Sequence, residues 1–294
     1  MLNQVDFSQY PLTGWYPGHM LKAGRQMQDA LKLVDLVVEL IDARAPLSSR
    51  NPDLRSILTN RPFLLLANKA DLASPAASRA WSAYFARQGE RIQFFDARKT
   101  ASVRQLTELW RQLVQQMRAE RGATRALTRP ARIMISGIPN IGKSTLVNHL
   151  LARNKAQVGP KPGVTRQNQW ISINNDVELL DTPGILWPRI ENKRHELMLA
   201  LIGSLKEELI PPSLLAEFLW SELRRIAAVV KWEPLGLTAF PESITVLLDA
   251  IAARRGLLLT GGVPDHDRAA VAFIKDYRQG RLGRFTFEMP ADAE

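Results

Sequence analysis

The stretch from Arg132 to Val147, RIMISGIPNIGKSTLV, constrains this chain more than any other. A short apolar, β-rich run ends at Ser136. Gly137, four residues and Gly142-Lys143-Ser144 follow, then an apolar run that suits a helix. This is the phosphate-loop pattern G-x-x-x-x-G-K-[ST], with the strand before it and the helix after it that the pattern requires. Glycines let successive backbone N–H groups turn inward around phosphate oxygens. Lys143 can reach the β- and γ-phosphates, and the Ser144 hydroxyl can ligate Mg2+. A helix opening near Lys143 adds the positive end of its dipole. The position is unusual, since 131 residues precede Arg132.

Those residues carry strand signals of their own. Val34 to Ile41, Pro62 to Ala67 and Arg91 to Phe95 are largely apolar runs of the kind found in a parallel sheet covered on both faces. Each ends in a polar loop: Asp42-Ala43-Arg44, then Asn68-Lys69-Ala70-Asp71, then Asp96-Ala97-Arg98-Lys99. Ligands of open α/β sheets bind at such carboxyl ends. Helical periodicity marks residues 20–33, 53–58, 75–88 and 103–119. Beyond the phosphate loop, Gln169 to Ile173 and Val177 to Leu180 read as a hairpin turning at Asn174-Asn175-Asp176. Its second strand runs into Asp181-Thr182-Pro183-Gly184. After about residue 195 strand signals stop, and helices are expected over 196–208, 212–231, 242–254 and 266–279. The expected division is an α/β nucleotide-binding domain over 1–195 and a small all-α domain over 196–294.

Cysteine is absent, which excludes disulfides, thiolate zinc sites and cysteine nucleophiles. No apolar run approaches the roughly 18 residues of a membrane span. The N-terminus lacks both a secretory signal and the Arg/Ser-rich character of a transit peptide, so a cytoplasmic protein is expected. The net charge of +10 favours a polyanionic partner. Candidate RNA contacts are Lys22 and Arg25, Arg121, Arg125 and Arg129 of the basic linker over 118–132, and Arg224, Arg225, Arg254, Arg255, Lys275, Arg278 and Arg281 of the helical part.

Asn68-Lys69-x-Asp71 at a strand end has a specific chemical use. An Asp carboxylate can accept both the N1–H and the N2 amine of guanine, whereas adenine offers no matching donors. Asn68 can tie this loop to the phosphate loop, and the Lys69 stem can cover the base. The Ala97 N–H can meet the guanine O6. Asp181 can hold Mg2+ through water, and the Gly184 N–H can meet the γ-phosphate. Thr165, in PGVTR between the phosphate loop and DTPG, is the candidate switch threonine on Mg2+. The parts of a GTP site are therefore all present in rotated order, base recognition first. Rejoining a chain at exposed loops preserves strand pairing, because pairing depends on contacts rather than chain order. The fold class that follows is α/β: a circularly permuted P-loop GTPase domain with a mostly parallel sheet, followed by a small all-α domain.

In this order the motifs resemble the circularly permuted GTPases of the YlqF/RbgA family, which assist large ribosomal subunit assembly. The resemblance spans WYPGHM, the DAR after the first strand, NKAD, GIPNIGKSTLVN, PGVTR, DTPG and GRFTFE at 283–288. It implies an enzyme that hydrolyses GTP with Mg2+, stimulated by K+ and by the ribosomal particle. It also implies a late 50S precursor as partner, with neither membrane nor DNA. By resemblance, Asn140, Ile141, Gly142, Lys143, Ser144 and Thr145 hold GTP together with Asn68, Lys69, Asp71, Ala97, Thr165 and Gly184. Mg2+ is assigned to Ser144, Thr165 and Asp181, and K+ to Asn140. Ile185 stands where many GTPases carry a water-orienting Gln, and His19 resembles the family's proposed catalytic histidine. The base box reads Asp96-Ala97 in place of the usual Ser-Ala, which leaves the role of Asp96 open. A second reading is a GTP-gated RNA-binding switch in which hydrolysis is incidental. A P-loop ATPase of other purpose conflicts with NKAD.

Overall fold

The computed structural model describes residues 6–12, 31–51, 54, 58, 62–120, 122, 129–152, 169–181, 190, 192–226 and 229–293. The expected helices over 20–33 and 53–58 fall largely outside these residues. Six strands form one sheet in the order β3-β2-β1-β4-β6-β5. They are β1 (Leu36–Asp42), β2 (Phe63–Asn68), β3 (Ile92–Phe94), β4 (Ala131–Gly137), β5 (Gln169–Ser172) and β6 (Val177–Asp181). All pairs are parallel except β5 with β6. That hairpin turns on Asn174, whose Oδ1 accepts the N–H groups of Asp176 and Val177 at 2.9 and 2.8 Å. Such an Asx turn lets a polar side chain stand in for a backbone turn.

The alternation of side chains along the strands assigns the two faces. Leu36, Val38 and Leu40 share a core with Leu64, Leu66, Ile133 and Ile135, covered by helices α2 (Thr100–Glu120) and α3 (Lys143–Ala152). On α2 the buried residues Leu106, Trp110, Leu113 and Val114 form the stripe facing the sheet. The opposite face holds Ile41, Leu65 and Ala67 against Trp81 and Phe85 of α1 (Pro75–Arg87). Pro75 at the first helical position and the Ser74 cap start α1.

From Lys193 onward the regular structure is helical: α4 (Lys193–Leu201), α5 (Pro212–Arg225), α6 (Ile244–Arg255) and α7 (His266–Arg278). Two helices end earlier than their periodicity predicts. The pattern over 196–208 yields a helix that starts three residues sooner, capped by Asn192, and stops at Leu201. Gly203 follows at φ +85°, a left-handed turn open to glycine without strain. The pattern over 212–231 stops at Arg225. The core of the first sheet face runs without a break through Ile138 and Ile141 of the phosphate loop into Leu197, Leu199, Leu201 and the helices beyond. The chain then returns: residues 284–288 cross back onto the carboxyl edge of the sheet.

Candidate nucleotide-binding site

Because β1, β2, β3, β4 and β6 run in the same direction, their terminal loops gather along one edge of the sheet. Asn68, the last residue of β2, is 3% exposed and joins three of those loops. Its Nδ2 donates to the Ile141 carbonyl at 2.8 Å, and its Oδ1 accepts the Ala97 N–H at 2.9 Å. The ring of His149, on α3, meets the Ala97 carbonyl oxygen. Gly142 stands at φ +106°, and a Cβ there would collide with Asn68 Nδ2. The loop therefore needs glycine both for its backbone and for the approach of Asn68. A Cβ on Gly137 would lie 2.7 Å from the Leu40 carbonyl oxygen, so the loop also starts in close backbone contact with β1.

Among the described residues, two non-glycine residues have positive φ, Lys69 at +61° and Asn140 at +56°. Both lie in this site, and such strain persists only where surrounding contacts over-determine it. Lys69 Nζ lies 2.9 Å from Asp42 Oδ2, which also accepts Arg44 Nη2 at 2.8 Å. Burial alone would raise the Asp42 pKa, but Arg44 and Lys69 outweigh it and hold the carboxyl well below the usual range. Burial pulls the Lys69 ammonium down, and Asp42 offsets only part of that. Arg44, 1% exposed, lies over the Tyr277 ring at 5.2 Å and donates to the Ile202 carbonyl at 3.2 Å.

That carbonyl belongs to a group at the end of α4. Arg278 donates to the carbonyls of Ala200 and Leu201 at 2.8 and 3.1 Å, and Asn140 Nδ2 to that of Gly203 at 3.0 Å. Carbonyls at a helix C-terminus have no partners within the helix and attract cations. The phosphate loop is thus bonded directly to the first turn beyond α4.

The returning segment closes the edge. The N–H groups of Phe285 and Phe287 donate to Leu72 and Arg44 carbonyls at 2.9 and 3.0 Å. Thr286 Oγ1 donates to the Ala43 carbonyl at 3.2 Å and accepts the Ser74 N–H at 3.1 Å. Arg284 donates to the carbonyls of Ala70 and Ala73. Glu288, 2% exposed, accepts the N–H groups of Leu47 and Ser48. The loops after β1 and β2 are therefore both set by GRFTFE.

The family model described as "50S ribosome-binding GTPase" matches residues 132–211, beginning at β4. The Ribosome biogenesis GTPase A of Priestia megaterium is 40% identical over 282 residues, covering 95% of this chain and 98% of that protein. The Mitochondrial ribosome-associated GTPase 1 of Xenopus tropicalis is 34% identical, covering 95% of each. The GNP-bound YlqF of T. maritima superposes with a TM-score of 0.65 at 32% identity, over 92% of this chain and 99% of that one. The chain belongs to the YlqF/RbgA family of ribosome biogenesis GTPases.

It is a GTP-hydrolysing enzyme with a circularly permuted domain. The rotation explains why the family model starts at β4: base recognition, which closes an unpermuted GTPase, precedes the phosphate loop here. Of the residues assigned by resemblance to YlqF/RbgA, Asn68, Ala97, Ile141 and Gly142 are in mutual contact. Lys143 opens α3, with Ser144 and Thr145 exposed on its first turn. Asp181 ends β6 beside β4, and its side chain lies outside the described residues. So do His19, Thr165 and Gly184. A serine hydroxyl at the head of α3 suits Mg2+, a hard cation that takes oxygen ligands. Asp71 and Asp96 are bridged by Arg98.

Sequence reasoning gave Arg44, His149 and Glu288 no part in this site, and it placed Arg278 among the RNA contacts, whereas its guanidinium is bonded to the Ala200 and Leu201 carbonyls. Arg44 stands in the DAR motif, and its position just past a buried strand was a usable signal. The others act through contacts far apart in sequence. The basic candidates also sort themselves. Arg129 pairs with Asp35, Arg225 with Glu222, and Arg255 and Arg281 with Asp276. Arg224, Arg254 and Lys275 are exposed, with Arg224 lying over Trp220. No helix among the described residues is long and apolar enough to cross a membrane.

Proposed function

We propose that this enzyme binds a late precursor of the large ribosomal subunit in its GTP form and leaves after hydrolysis. The observation that carries the reading is the bonding of Asn140, in the phosphate loop, to Gly203 at the end of α4. A change around the γ-phosphate then has a direct route into the helical part, which we take as residues 196–294 and as the RNA-contacting domain. The GTPase part is residues 1–195. The relatives named for ribosome biogenesis support a ribosomal partner, and the charge of +10 supports contact with its RNA. The enzyme works in the cytoplasm.

GTP is held by the residues assigned above. Mg2+ falls to Ser144, Thr165 and Asp181. K+ falls to the amide oxygen of Asn140, whose nitrogen is already committed to Gly203. Water attack needs in-line positioning and charge stabilisation. Ile185 can supply neither, so His19 orients the water or carries its proton, as imidazole can near neutral pH. The test is sedimentation with large subunits together with single-turnover hydrolysis. Wild type should co-sediment with a non-hydrolysable GTP analogue, separate with GDP, and hydrolyse GTP faster on the particle. His19→Ala should keep binding and lose most of the stimulation. Equal sedimentation in both nucleotides would rule out release by hydrolysis, and a His19→Ala enzyme at the wild-type rate would exclude His19.

A further inference from the structure

Around the base-recognition loop, one cation links two acids that lie far apart in sequence. The Arg98 N–H donates to Asp96 Oδ1 at 3.0 Å, and Arg98 Nε reaches the same oxygen at 3.2 Å. The far end of the guanidinium, Nη2, closes on Asp71 Oδ2. Asp96 is held from its own backbone as well, since its carbonyl accepts the Lys99 N–H at 3.0 Å. The Arg98 side chain is 64% exposed, against 8% for Asp96 and 21% for Asp71. Asp71 Oδ1 is buried and accepts no hydrogen bond among the described residues. A buried carboxylate oxygen without a donor is an unfavourable arrangement that a ligand can relieve.

We propose that Arg98 is a specificity-determining positioning residue, which holds the Asp71 carboxylate through Asp96 in the one orientation that reads guanine. This rests on the assignment of Asp71 to guanine recognition. A carboxylate has about four acceptor sites. With Arg98 on one site of Oδ2, Oδ1 and the second site of Oδ2 are left for two parallel donors, the N1–H and the N2 amine of guanine. A carboxylate fixed before the base arrives loses no rotamer freedom on binding. It also cannot swing aside for adenine, which would leave Oδ1 unpaired and Oδ2 with Arg98 alone. A loose carboxylate could rotate to water and tolerate either base. Asp96 thereby gains a role: it anchors the arginine that a Ser in that box could not anchor by charge.

The test is titration of labelled GDP and ADP against wild type, Arg98→Ala, Asp71→Asn and the double variant, with melting temperatures to verify folding. Arg98→Ala should weaken GDP about tenfold, because the base-reading carboxylate is deprived of one charge-assisted hydrogen bond, and bind ADP as tightly as wild type or more tightly, because the freed carboxylate can turn away from adenine. The double variant should bind GDP no worse than Asp71→Asn alone, because the effect of Arg98 passes through Asp71. An Arg98→Ala protein with unchanged GDP affinity, or with GDP and ADP weakened alike, overturns the proposal. If instead Asp71→Asn binds GDP as wild type does, the base-reading assignment itself fails. Should Arg98→Ala not fold, Arg98→Lys is measured instead, since an ammonium cannot bridge both acids. A GDP-selective loss supports the proposal, and any other result overturns it.

Discussion

The Asn68 side-chain nitrogen lies 2.8 Å from the Ile141 carbonyl oxygen, a hydrogen bond that bridges 73 positions and joins the NKAD loop to the phosphate loop. Asn68→Ala would leave that carbonyl and the Ala97 N–H buried without partners. The expected cost is about 2–4 kcal/mol in urea unfolding, with nucleotide affinity falling as well. Gly142→Ala should abolish nucleotide binding while leaving the circular dichroism of the sheet intact, because the added carbon displaces Asn68 and must accept φ +106°. A Gly142→Ala protein with wild-type affinity would show that the loop does not need this close approach.

The exchange of one acceptor for one donor at Asp71 should change base preference. Asp71→Asn is expected to weaken GTP by about 2–4 kcal/mol, since a charged bidentate interaction is removed. It should strengthen xanthosine triphosphate, whose C2 oxygen accepts from the new amide. Competition titration with both nucleotides measures the switch, and an unchanged ratio would remove Asp71 from the base site.

Glu39 lies in the middle of β1, 1% exposed, and burial raises its pKa from 4.5 to about 7 against the partial offset of Arg50. The folded state therefore keeps a proton that the unfolded chain releases at lower pH. With more protons on the folded state, stability falls as pH rises from about 4.5 through 7. The full effect is about 2.5 pH units at ~1.4 kcal/mol each, or about 3–4 kcal/mol. Glu39→Gln removes the titration. It should be more stable than wild type at pH 8 by about 1–3 kcal/mol, with the gap closing below pH 5. Chemical denaturation at both pH values checks this, and a gap independent of pH would mean that Glu39 does not titrate in this window.

Arg254 and Lys275 are exposed on α6 and α7, whereas Arg255 and Arg281 hold the fully buried Asp276 between them. Reversing Arg254 and Lys275 to Glu should weaken ribosomal RNA binding and reduce its log–log salt slope by about 0.7–0.9 for each phosphate no longer neutralised. Arg255→Glu should instead destabilise the helical part by about 3–5 kcal/mol, since it places a second acid against Asp276. Filter binding at several salt concentrations and thermal melting distinguish the two effects. An unchanged slope in the double reversal would move the RNA surface elsewhere.

Much of the site can be read in the chain because its motifs are local. G-x-x-x-x-G-K-S needs its own strand and helix, and NKAD needs the end of a buried strand. Helix ends were harder to read. Apolar periodicity carries on past Leu201, and the helix stops there because Arg44, Lys69, Arg278 and Asn140 meet the carbonyls and turn beyond it. Those side chains come from loops at the sheet edge and from α7, and none is near residue 201 in sequence.

The sequence alone determined the rotated order of the boxes, the nature of the nucleotide and the change from strands to helices after the sheet. Those are properties of residue type and short-range spacing. Only the tertiary structure decided which side chains hold the loops. The tie from Asn68 to the phosphate loop was expected from sequence, but that its oxygen also takes the Ala97 N–H was decided by the fold. Arg98 was a cation in a turn until Asp71 and Asp96 met it from two strand ends. GRFTFE was a terminal motif until its backbone bonded to the loops after β1 and β2. Hydrogen bonds and ion pairs between distant segments depend on the positions of whole strands, and those positions come from burial of the sheet between its helices rather than from any one motif.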